Sequence, residues 1–394
     1  MKRIYLDYAA TTPLDERVLR AMTPYFTEQF GNPNSLHSFG REANVAVDGA
    51  RSKIAELLGA EPSEIYFTSG GTESDNWAVK GAARMNRQRG AHIITSAIEH
   101  PAVMSPCAQL EKEGFSVTYL PVGKAGIVNP DDLAAAIRPD TVLVSVMLAN
   151  NEIGTIQPVK ELAAIARAKK IPFHTDAVQA VGSIPVSVKD LGVDMLSLSA
   201  HKFYGPKGVG LLYIRKGLRL DKLMSGGHQE RSQRAGTTNV PGVAGMAAAM
   251  EIAVSELDKN YAHIKSVRDY FVERIQNEVP HVIYNGDPVR RLPQNANFSF
   301  EFIEGESILY RLDMEGLACS SGSACSSGSL DPSHVLLAIG LIHEKAHGSI
   351  RFTFGKTTSK ADAAYAVETV KKTVETLRAI SPLFAEFKGG AVNV

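Results

Sequence analysis

The sequence predicts an α/β protein with a mostly parallel sheet flanked by helices, followed by a smaller α+β domain. Between about residues 41 and 255, helical patterns alternate with short apolar runs, the order expected of a parallel sheet with crossover helices. Several of these runs are continuously apolar rather than alternating, as in strands that are buried on both faces. After about residue 256 the order changes, and helices and strands mix in the manner of an α+β domain.

The elements follow from these patterns in chain order. Helical periodicity predicts helices in the first part at 41–58, 72–88, 101–113, 159–169 and 242–257. Apolar runs predict strands at 65–67, 92–97, 117–122, 141–149, 172–177, 195–200 and 208–214. Beyond them we expect helices at 263–278, 307–315 and 359–380 and strands at 297–302 and 349–354. We therefore assign a large domain to residues 15–255 and a small domain to residues 1–14 and 256–394.

Charge and composition exclude several classes of partner. The chain has 394 residues with 42 basic and 42 acidic side chains, so its formal net charge is zero. Its overall charge therefore does not attract nucleic acid or an anionic membrane. No apolar run approaches the roughly 20 residues of a membrane helix, and the N-terminus lacks the apolar centre of a signal peptide. Three cysteines in so long a chain argue against a disulfide framework. We expect a cytoplasmic protein with no direct nucleic-acid or membrane partner.

The most informative segment is a run of Gly, Ser and Ala at residues 318–329 that contains Cys325. A structural cysteine behaves as a small hydrophobe and sits among apolar neighbours, which Cys325 lacks. A thiol in such surroundings indicates either a nucleophile that travels or a metal ligand. The run alone leaves both interpretations open.

Two polar clusters follow strands of the predicted large domain, where ligands of open α/β sheets bind. Residues 67–73 leave a strand and enter a helix through two glycines and Thr72, which suits either an anion cradle or an ordinary helix cap. Asp176 ends an apolar strand, where a carboxylate needs a cation such as a protonated ring nitrogen. A cap on the next helix explains Asp176 equally well at this point.

The strongest cluster is the segment 197–208, in which Lys202 emerges at a strand end beside His201 and before a Gly/Pro turn. A lysine that is desolvated or lies near positive charge forms Schiff bases. His100 and Asn151 follow two further strands, although a lone histidine is more often structural. Together these groups supply what a pyridoxal phosphate site needs: an anion cradle, a carboxylate for the ring nitrogen, a lysine and an imidazole.

The motifs resemble one known family nearly end to end. They occupy residues 5–13, 30–37, 68–74, 174–179, 199–202, 320–329 and 349–352. In this set the chain resembles the cysteine desulfurases of the NifS/IscS type, a group within the fold-type I, class V aminotransferases. The segment 320–329 resembles the long-loop subgroup rather than the subgroup close to selenocysteine lyases.

The resemblance implies contacts to the pyridoxal phosphate ring. Lys202 would bind the cofactor covalently, and Asp176 would pair with the pyridinium nitrogen. Gln179 would hydrogen-bond the ring hydroxyl, while His100 would stack on the ring face and serve as a proton shuttle.

The resemblance also implies residues for the phosphate. Gly71, Thr72, Ser199 and His201 would hold it within one chain. Thr237 would reach it across the interface of a homodimer.

For the substrate, the resemblance implies that Asn151 and Arg351 hold the carboxylate of L-cysteine, with Asn151 also near the cofactor. The implied activity removes sulfur to give L-alanine and a persulfide on Cys325. The sulfur would then pass to an iron–sulfur scaffold protein or another acceptor, and a transient iron–sulfur cluster at Cys325 is the one metal role left open.

Three alternatives compete with this interpretation. A class V aminotransferase has no need of the loop thiol, and a selenocysteine lyase would act on a different substrate. A non-catalytic iron–sulfur scaffold with Cys319 and Cys325 as ligands would be short of thiolates, since Cys107 is the one remaining cysteine and lies in a helix-like segment.

Overall fold

The structure, a computed structural model, describes residues 2–321 and 332–390. Its helices are α1 Glu16–Met22, α2 Pro24–Thr27, α3 Ser38–Leu58, α4 Gly71–Met85, α5 Pro101–Lys112, α6 Pro130–Ala136, α7 Val159–Ala168, α8 Val188–Leu191, α9 Gln229–Ser232, α10 Val240–Ser255, α11 Leu257–Glu278, α12 Gly305–Met314, α13 His334–Ala338, α14 His343–His347, α15 Lys360–Ala379 and α16 Pro382–Lys388. Its strands are β1 Ile4–Tyr5, β2 Ile65–Thr68, β3 His92–Ser96, β4 Ser116–Leu120, β5 Thr141–Ser145, β6 Phe173–Asp176, β7 Met195–Ser199, β8 Gly210–Ile214, β9 Val282–Tyr284, β10 Asn295–Phe300, β11 Leu317–Ala318 and β12 Ser349–Thr353.

The predicted large sheet is confirmed. Within the described residues it has seven strands in the order β2-β8-β7-β6-β5-β3-β4. Strand β8 runs antiparallel to both neighbours, and the remaining pairings are parallel. Every residue of β3, β5, β6, β7 and β8 is buried, which explains why the strand runs are apolar without alternation.

Helices cover both faces of this sheet. On one face, residues of α3, α7 and α10 form a core with Ile94, Val144 and Leu196. On the other face, residues of α4 and α5 pack on Ile93 and Leu143. Neighbouring residues of one strand therefore enter different cores, because successive side chains of a strand point to opposite faces.

The C-terminal part has its own sheet and core. In the described chain, β12, β10 and β9 form an antiparallel sheet, and β1 pairs with β11 in parallel. The ring of Phe271 on α11 packs on the rings of Phe352 and Phe354, and residues of α15 join the same cluster with Ile4 and Leu6. The N-terminal strand thus packs with the residues after 256, and the segment 7–12 that follows it reaches the large sheet.

Several boundaries differ from the sequence predictions. Helix α3 begins at Ser38 rather than 41, because His37 caps it and accepts a hydrogen bond from Gly40 N at 3.3 Å through Nδ1. The short elements α1, α6 and β9 were not predicted, since each spans too few residues to show a clear period. No single helix among residues 2–321 and 332–390 is long and apolar enough to cross a membrane; α10 and α11 reach that length together only across a 71° bend.

Candidate active site

A cavity of about 310 Å³ lies beyond the carboxyl ends of β5, β6 and β7. This is the edge of an open α/β sheet at which ligands bind. The cavity gathers most of the residues singled out from the sequence. These are Gly71, Thr72, His100, Asn151, Asp176, Gln179, Ser199, His201, Lys202 and Arg351.

Asp176 forms the floor of the cavity as the last residue of β6. Its carboxylate is buried and accepts a hydrogen bond from Val178 N at 2.9 Å. Burial raises the pKa of Asp176 to about 6, against the lowering effects of that hydrogen bond and of the Lys202 charge. A protonated ring nitrogen is the kind of cation that would stabilise this carboxylate.

The anion cradle is the start of α4, a helix of 15 residues that begins at Gly71. A Cβ atom at Gly71 would lie 2.6 Å from Cγ2 of Val178, so a side chain has no room there. Free backbone N–H groups at a helix N-terminus favour an anion such as phosphate. Thr72 is exposed to the cavity, and Ser199 ends the neighbouring strand β7.

Lys202 ends the short turn that follows β7, and the N-terminal segment holds its side chain. Its Nζ donates to the carbonyl oxygens of Ala9 at 2.6 Å and Ala10 at 2.8 Å. Gln179 Nε2 donates to the same Ala9 oxygen at 3.0 Å. The segment that joins the two sheets therefore sets where the lysine lies in the cavity.

Two histidines in the cavity are neutral bases. Burial, followed by the charges of Lys202 and His334, lowers the pKa of His100 to about 4. Nδ1 of His100 accepts a hydrogen bond from Ala102 N at 3.1 Å, which leaves Nε2 to carry the proton. Burial and the charges of Lys202 and Lys207 lower the pKa of His201 to about 4 as well.

Arg351 enters the cavity from β12, a strand of the small antiparallel sheet. Its Nη2 donates to Asp7 Oδ1 at 2.8 Å, and its Nη1 donates to the Asn151 carbonyl oxygen at 3.1 Å. Its Nε is buried and has no hydrogen-bond partner in the described structure. Ser320 Oγ donates to the other oxygen of Asp7 at 2.9 Å, so Asp7 is held from two sides.

One predicted site residue among residues 2–321 and 332–390, Thr237, does not line the cavity. Thr237 is exposed in the loop before α10. That loop is tied to the cradle because Arg234 pairs with Glu73 at 2.7 and 2.9 Å, and Glu73 also accepts from Ser69 N at 2.8 Å.

Cys325 lies outside the described residues, so its predicted roles as nucleophile and metal ligand stay predictions. Cys319 is half-buried, and burial raises the pKa of its thiol. Within residues 2–321 and 332–390, no three His, Cys, Asp or Glu side chains group so as to hold a metal ion.

Sequence analysis did not assign Asp7, Asp75 or Glu99, although all three are part of the site or its wall. Asp7 lies within the motif at residues 5–13, and Asp75 directly follows the motif at residues 68–74. Each carboxylate contacts a residue far along the chain, Arg351 and His174 respectively, and a local sequence pattern does not reveal such a contact. Glu99 precedes His100 and accepts from Met147 N at 2.9 Å, which links the ends of β3 and β5.

The residues of the cavity fit pyridoxal phosphate. Gly71 opens the helix N-terminus to an anion, and the buried Asp176 and Lys202 line the same cavity. The unpartnered Arg351 Nε leaves hydrogen-bonding capacity for a carboxylate.

Comparison with known proteins agrees with this geometry. The class-V aminotransferase family matches residues 4–365 of the chain. The chain belongs to this family. A relative from Dictyoglomus turgidum, named cysteine desulfurase IscS, is 57% identical over 98% of this chain and 99% of its own length.

Two solved structures extend the agreement to three dimensions. A NifS-like protein superposes with a TM-score of 0.90 at 41% identity, over 95% of this chain and 100% of that one. A structure titled "SspA in complex with cysteine" gives a TM-score of 0.80 at 38% identity, over 90% of this chain and 99% of that one.

As a member of the class-V aminotransferase family, the chain is an enzyme whose cofactor is pyridoxal phosphate. Its fold is that of the NifS-like enzymes: a mostly parallel sheet between helices, with a smaller antiparallel sheet beside it. The family resemblance predicted from the motifs is therefore confirmed.

Proposed function

We propose that the protein is a cysteine desulfurase, which converts L-cysteine to L-alanine and keeps the sulfur as a persulfide on Cys325. The observation that carries the proposal is that Lys202, from the turn after β7, and Arg351, from β12, line one cavity. A lysine for the cofactor and a guanidinium for a carboxylate are the two groups that an amino-acid substrate needs. The 57% identity to a relative named cysteine desulfurase IscS supports cysteine as that amino acid.

Each side chain has a task that follows from its surroundings. When bound, pyridoxal phosphate withdraws electrons from the α-carbon of the amino acid. Lys202 Nζ, held beside the Ala9 and Ala10 carbonyl oxygens, would take the α-proton. Arg351 would orient the substrate carboxylate with its planar guanidinium, and the neutral His100 would move a proton near the leaving sulfur.

The sulfur step balances without an outside oxidant or reductant. The Cys325 thiolate attacks the substrate sulfur, an S–S bond forms, and the carbon–sulfur bond of the substrate breaks. The electron pair of that bond stays with carbon, which takes up a proton to become the methyl group of alanine. One cysteine and one protein thiol thus give one alanine and one protein persulfide.

We propose a cytoplasmic homodimer, with the persulfide passed to an iron–sulfur scaffold protein and with iron near Cys325 only during that transfer. Three cysteines in 394 residues support a reducing compartment. An exposed apolar segment supports the dimer: Leu36 is 90% exposed, and the rings of Phe30 and Phe39 lie 5.7 Å apart on the surface. The exposed Thr237 would then reach the phosphate of the second subunit.

The deciding experiment for the chemistry is a mass measurement of the full-length protein after brief exposure to L-cysteine. We expect one added sulfur on the peptide that contains Cys325, together with an equal amount of alanine. The Cys325→Ala variant serves as control and should keep the cofactor absorbance while it gains no sulfur. Formation of a keto acid without added sulfur would indicate an aminotransferase and overturn the proposal.

The oligomeric state is tested separately by sedimentation of the wild type and of Phe39→Ser. We expect a dimer for the wild type and a larger monomer fraction for the variant. A wild type that sediments as a monomer at micromolar concentration would contradict the homodimer and the role of Thr237.

A further inference from the structure

A buried carboxyl group beneath the cofactor cavity has no assigned role. Asp75 is the fifth residue of α4, one turn beyond Gly71, and only 1% of its surface is exposed. Its Oδ1 has no hydrogen-bond partner in the described structure and lies 3.6 Å from Nε2 of His174. Asp75 lines the cavity together with Asp176, and the two carboxyl groups interact electrostatically.

His174 connects Asp75 to the strands that carry the site. It lies two residues before Asp176 on β6, so both side chains point to the same face of the sheet. Its Nδ1 is 2.8 Å from Ser145 Oγ on β5, and its Nε2 is 2.9 Å from Ser197 Oγ on β7. Asp75 interacts with Ser197 as well, so this buried polar cluster joins α4 to three strands.

The cofactor makes the spacing of these elements matter. The cradle is the first turn of α4, and the ring-nitrogen carboxylate is the last residue of β6. The aromatic ring of pyridoxal phosphate is rigid, so a shift of the helix against the strand would misplace one end of the cofactor. An error of about 1 Å in the position of reacting groups costs up to about 100-fold in rate. A cradle that is not preorganised also binds its ligand more weakly.

We propose that Asp75 is a positioning residue for the cofactor: through its buried contact with Ser197, beside His174, it holds α4 against the strands and so fixes the distance between the phosphate cradle and Asp176. The proposal rests on the assignment of these two groups to the two ends of the cofactor. It holds whatever amino acid the enzyme uses.

The charges around Asp75 favour its neutral form. The ionisable groups that face it are Asp176, Glu99 and His174, and none of them is a cation. Burial, then the charge of Asp176, raises the pKa of Asp75 well above its ordinary value; the hydrogen bond with Ser197 lowers it in part, and Glu99 raises it further. Burial lowers the pKa of His174 to about 3, so this ring is neutral too. Asp176 is thereby left as the anion that faces the ring nitrogen.

The test is the dissociation constant of pyridoxal phosphate for full-length Asp75→Asn and Asp75→Ala, measured by titration of the resolved proteins. Asparagine keeps the shape and neutral charge of the acid, so we expect its dissociation constant within about threefold of the wild type. Alanine removes the contact with Ser197 and leaves the cradle less preorganised, so we expect weaker binding by about 10- to 100-fold. The absorbance maximum of the bound cofactor is recorded for each variant.

Asp194→Asn is the matched control, because Asp194 is another buried aspartate that contacts β6. It accepts a hydrogen bond from Phe173 N at 2.8 Å, at the end of the strand away from the cavity. This variant should lose thermal stability and keep wild-type cofactor affinity. Wild-type affinity in Asp75→Ala would overturn the positioning role. Equal weakening in Asp75→Asn and Asp75→Ala would overturn the neutral form. If Asp75→Ala does not fold, Asp75→Asn still tests the proposal. An ionised Asp75 in the wild type predicts that Asp75→Asn binds the cofactor more weakly.

Discussion

The two walls of the cavity are built in different ways. The wall that carries Asp176 and Ser199 consists of strand ends in a sheet buried on both faces, and backbone hydrogen bonds to neighbouring strands fix it. The wall that carries Arg351 belongs to the small sheet, and the guanidinium is held by contacts to Asp7 and Asn151.

This difference matches two different ligands. A cofactor that stays bound gains from a wall whose positions do not change. A substrate that comes and goes needs a group that can exchange partners, and the carboxylate of Asp7 occupies Arg351 in the way that a substrate carboxylate would. Changes in the sheet wall should therefore affect the cofactor or the stability of the fold, and changes in the Arg351 wall should affect the KM.

The largest effect is expected at Lys202. In Lys202→Ala the visible absorbance of the lysine-bound cofactor should disappear, and turnover should fall by about 10³-fold or more, because the general base is removed. Absorbance spectra and alanine release measure the two effects. Lys207→Ala, a change at an exposed lysine in the next turn, is the control and should behave as the wild type. Substantial turnover in Lys202→Ala would refute the assignment.

The next effect is expected at Arg351. Arg351→Lys should raise the KM for the amino acid by about 10- to 100-fold, because lysine keeps the positive charge but lacks the planar guanidinium that binds a carboxylate with two hydrogen bonds. Cofactor absorbance should stay unchanged. Arg268→Lys is the control, since Arg268 is a buried arginine of α11, in the same C-terminal part of the chain as Arg351. It contacts the Leu292 and Asn295 carbonyl oxygens and does not line the cavity. Loss of cofactor in Arg351→Lys would show that the two walls are not separate in function.

A stability effect is expected at Glu99, in the sheet wall. Burial raises the pKa of Glu99 from 4.5 to about 8, so the folded state favours the protonated form. The stability from this form is complete below about pH 4.5 and is lost as the pH rises towards 8.

Glutamine has no carboxyl group to titrate at this position. Between about pH 4.5 and 8 the free energy of unfolding of the wild type should therefore fall relative to that of Glu99→Gln, by on the order of 2–4 kcal/mol. Denaturant unfolding at the two ends of the range measures this change. The exposed Glu42→Gln is the control and should follow the wild type. A difference that stays constant with pH would contradict the raised pKa.

The smallest effect is expected at Ser320. Ser320→Ala removes the hydrogen bond to Asp7 Oδ2, which should change the KM by about two- to tenfold and leave cofactor affinity unchanged. Steady-state kinetics and a cofactor titration distinguish these quantities. An unchanged KM would mean that Arg351 alone orients Asp7.

Much of the fold could be predicted because its signals are local. Apolar strand runs mark a sheet buried on both faces, and they revealed all seven strands of the large sheet, from Ile65–Thr68 to Gly210–Ile214. The residue types at strand ends, above all Lys202 and Asp176, indicated the cofactor chemistry before any geometry was known. The antiparallel direction of β8 was not predicted, since strand direction depends on the path of the chain and not on side-chain pattern.

The sequence by itself determined the fold class, the family and the chemical identity of the cofactor groups, because periodicity and motif residues are properties of short segments. Only the tertiary structure decided that Arg351 meets Asp7, 344 residues away, and that Asp75 lies against His174. It also decided which carboxyl groups have a raised pKa, as at Glu99, since burial and neighbouring charges arise only when distant segments pack together.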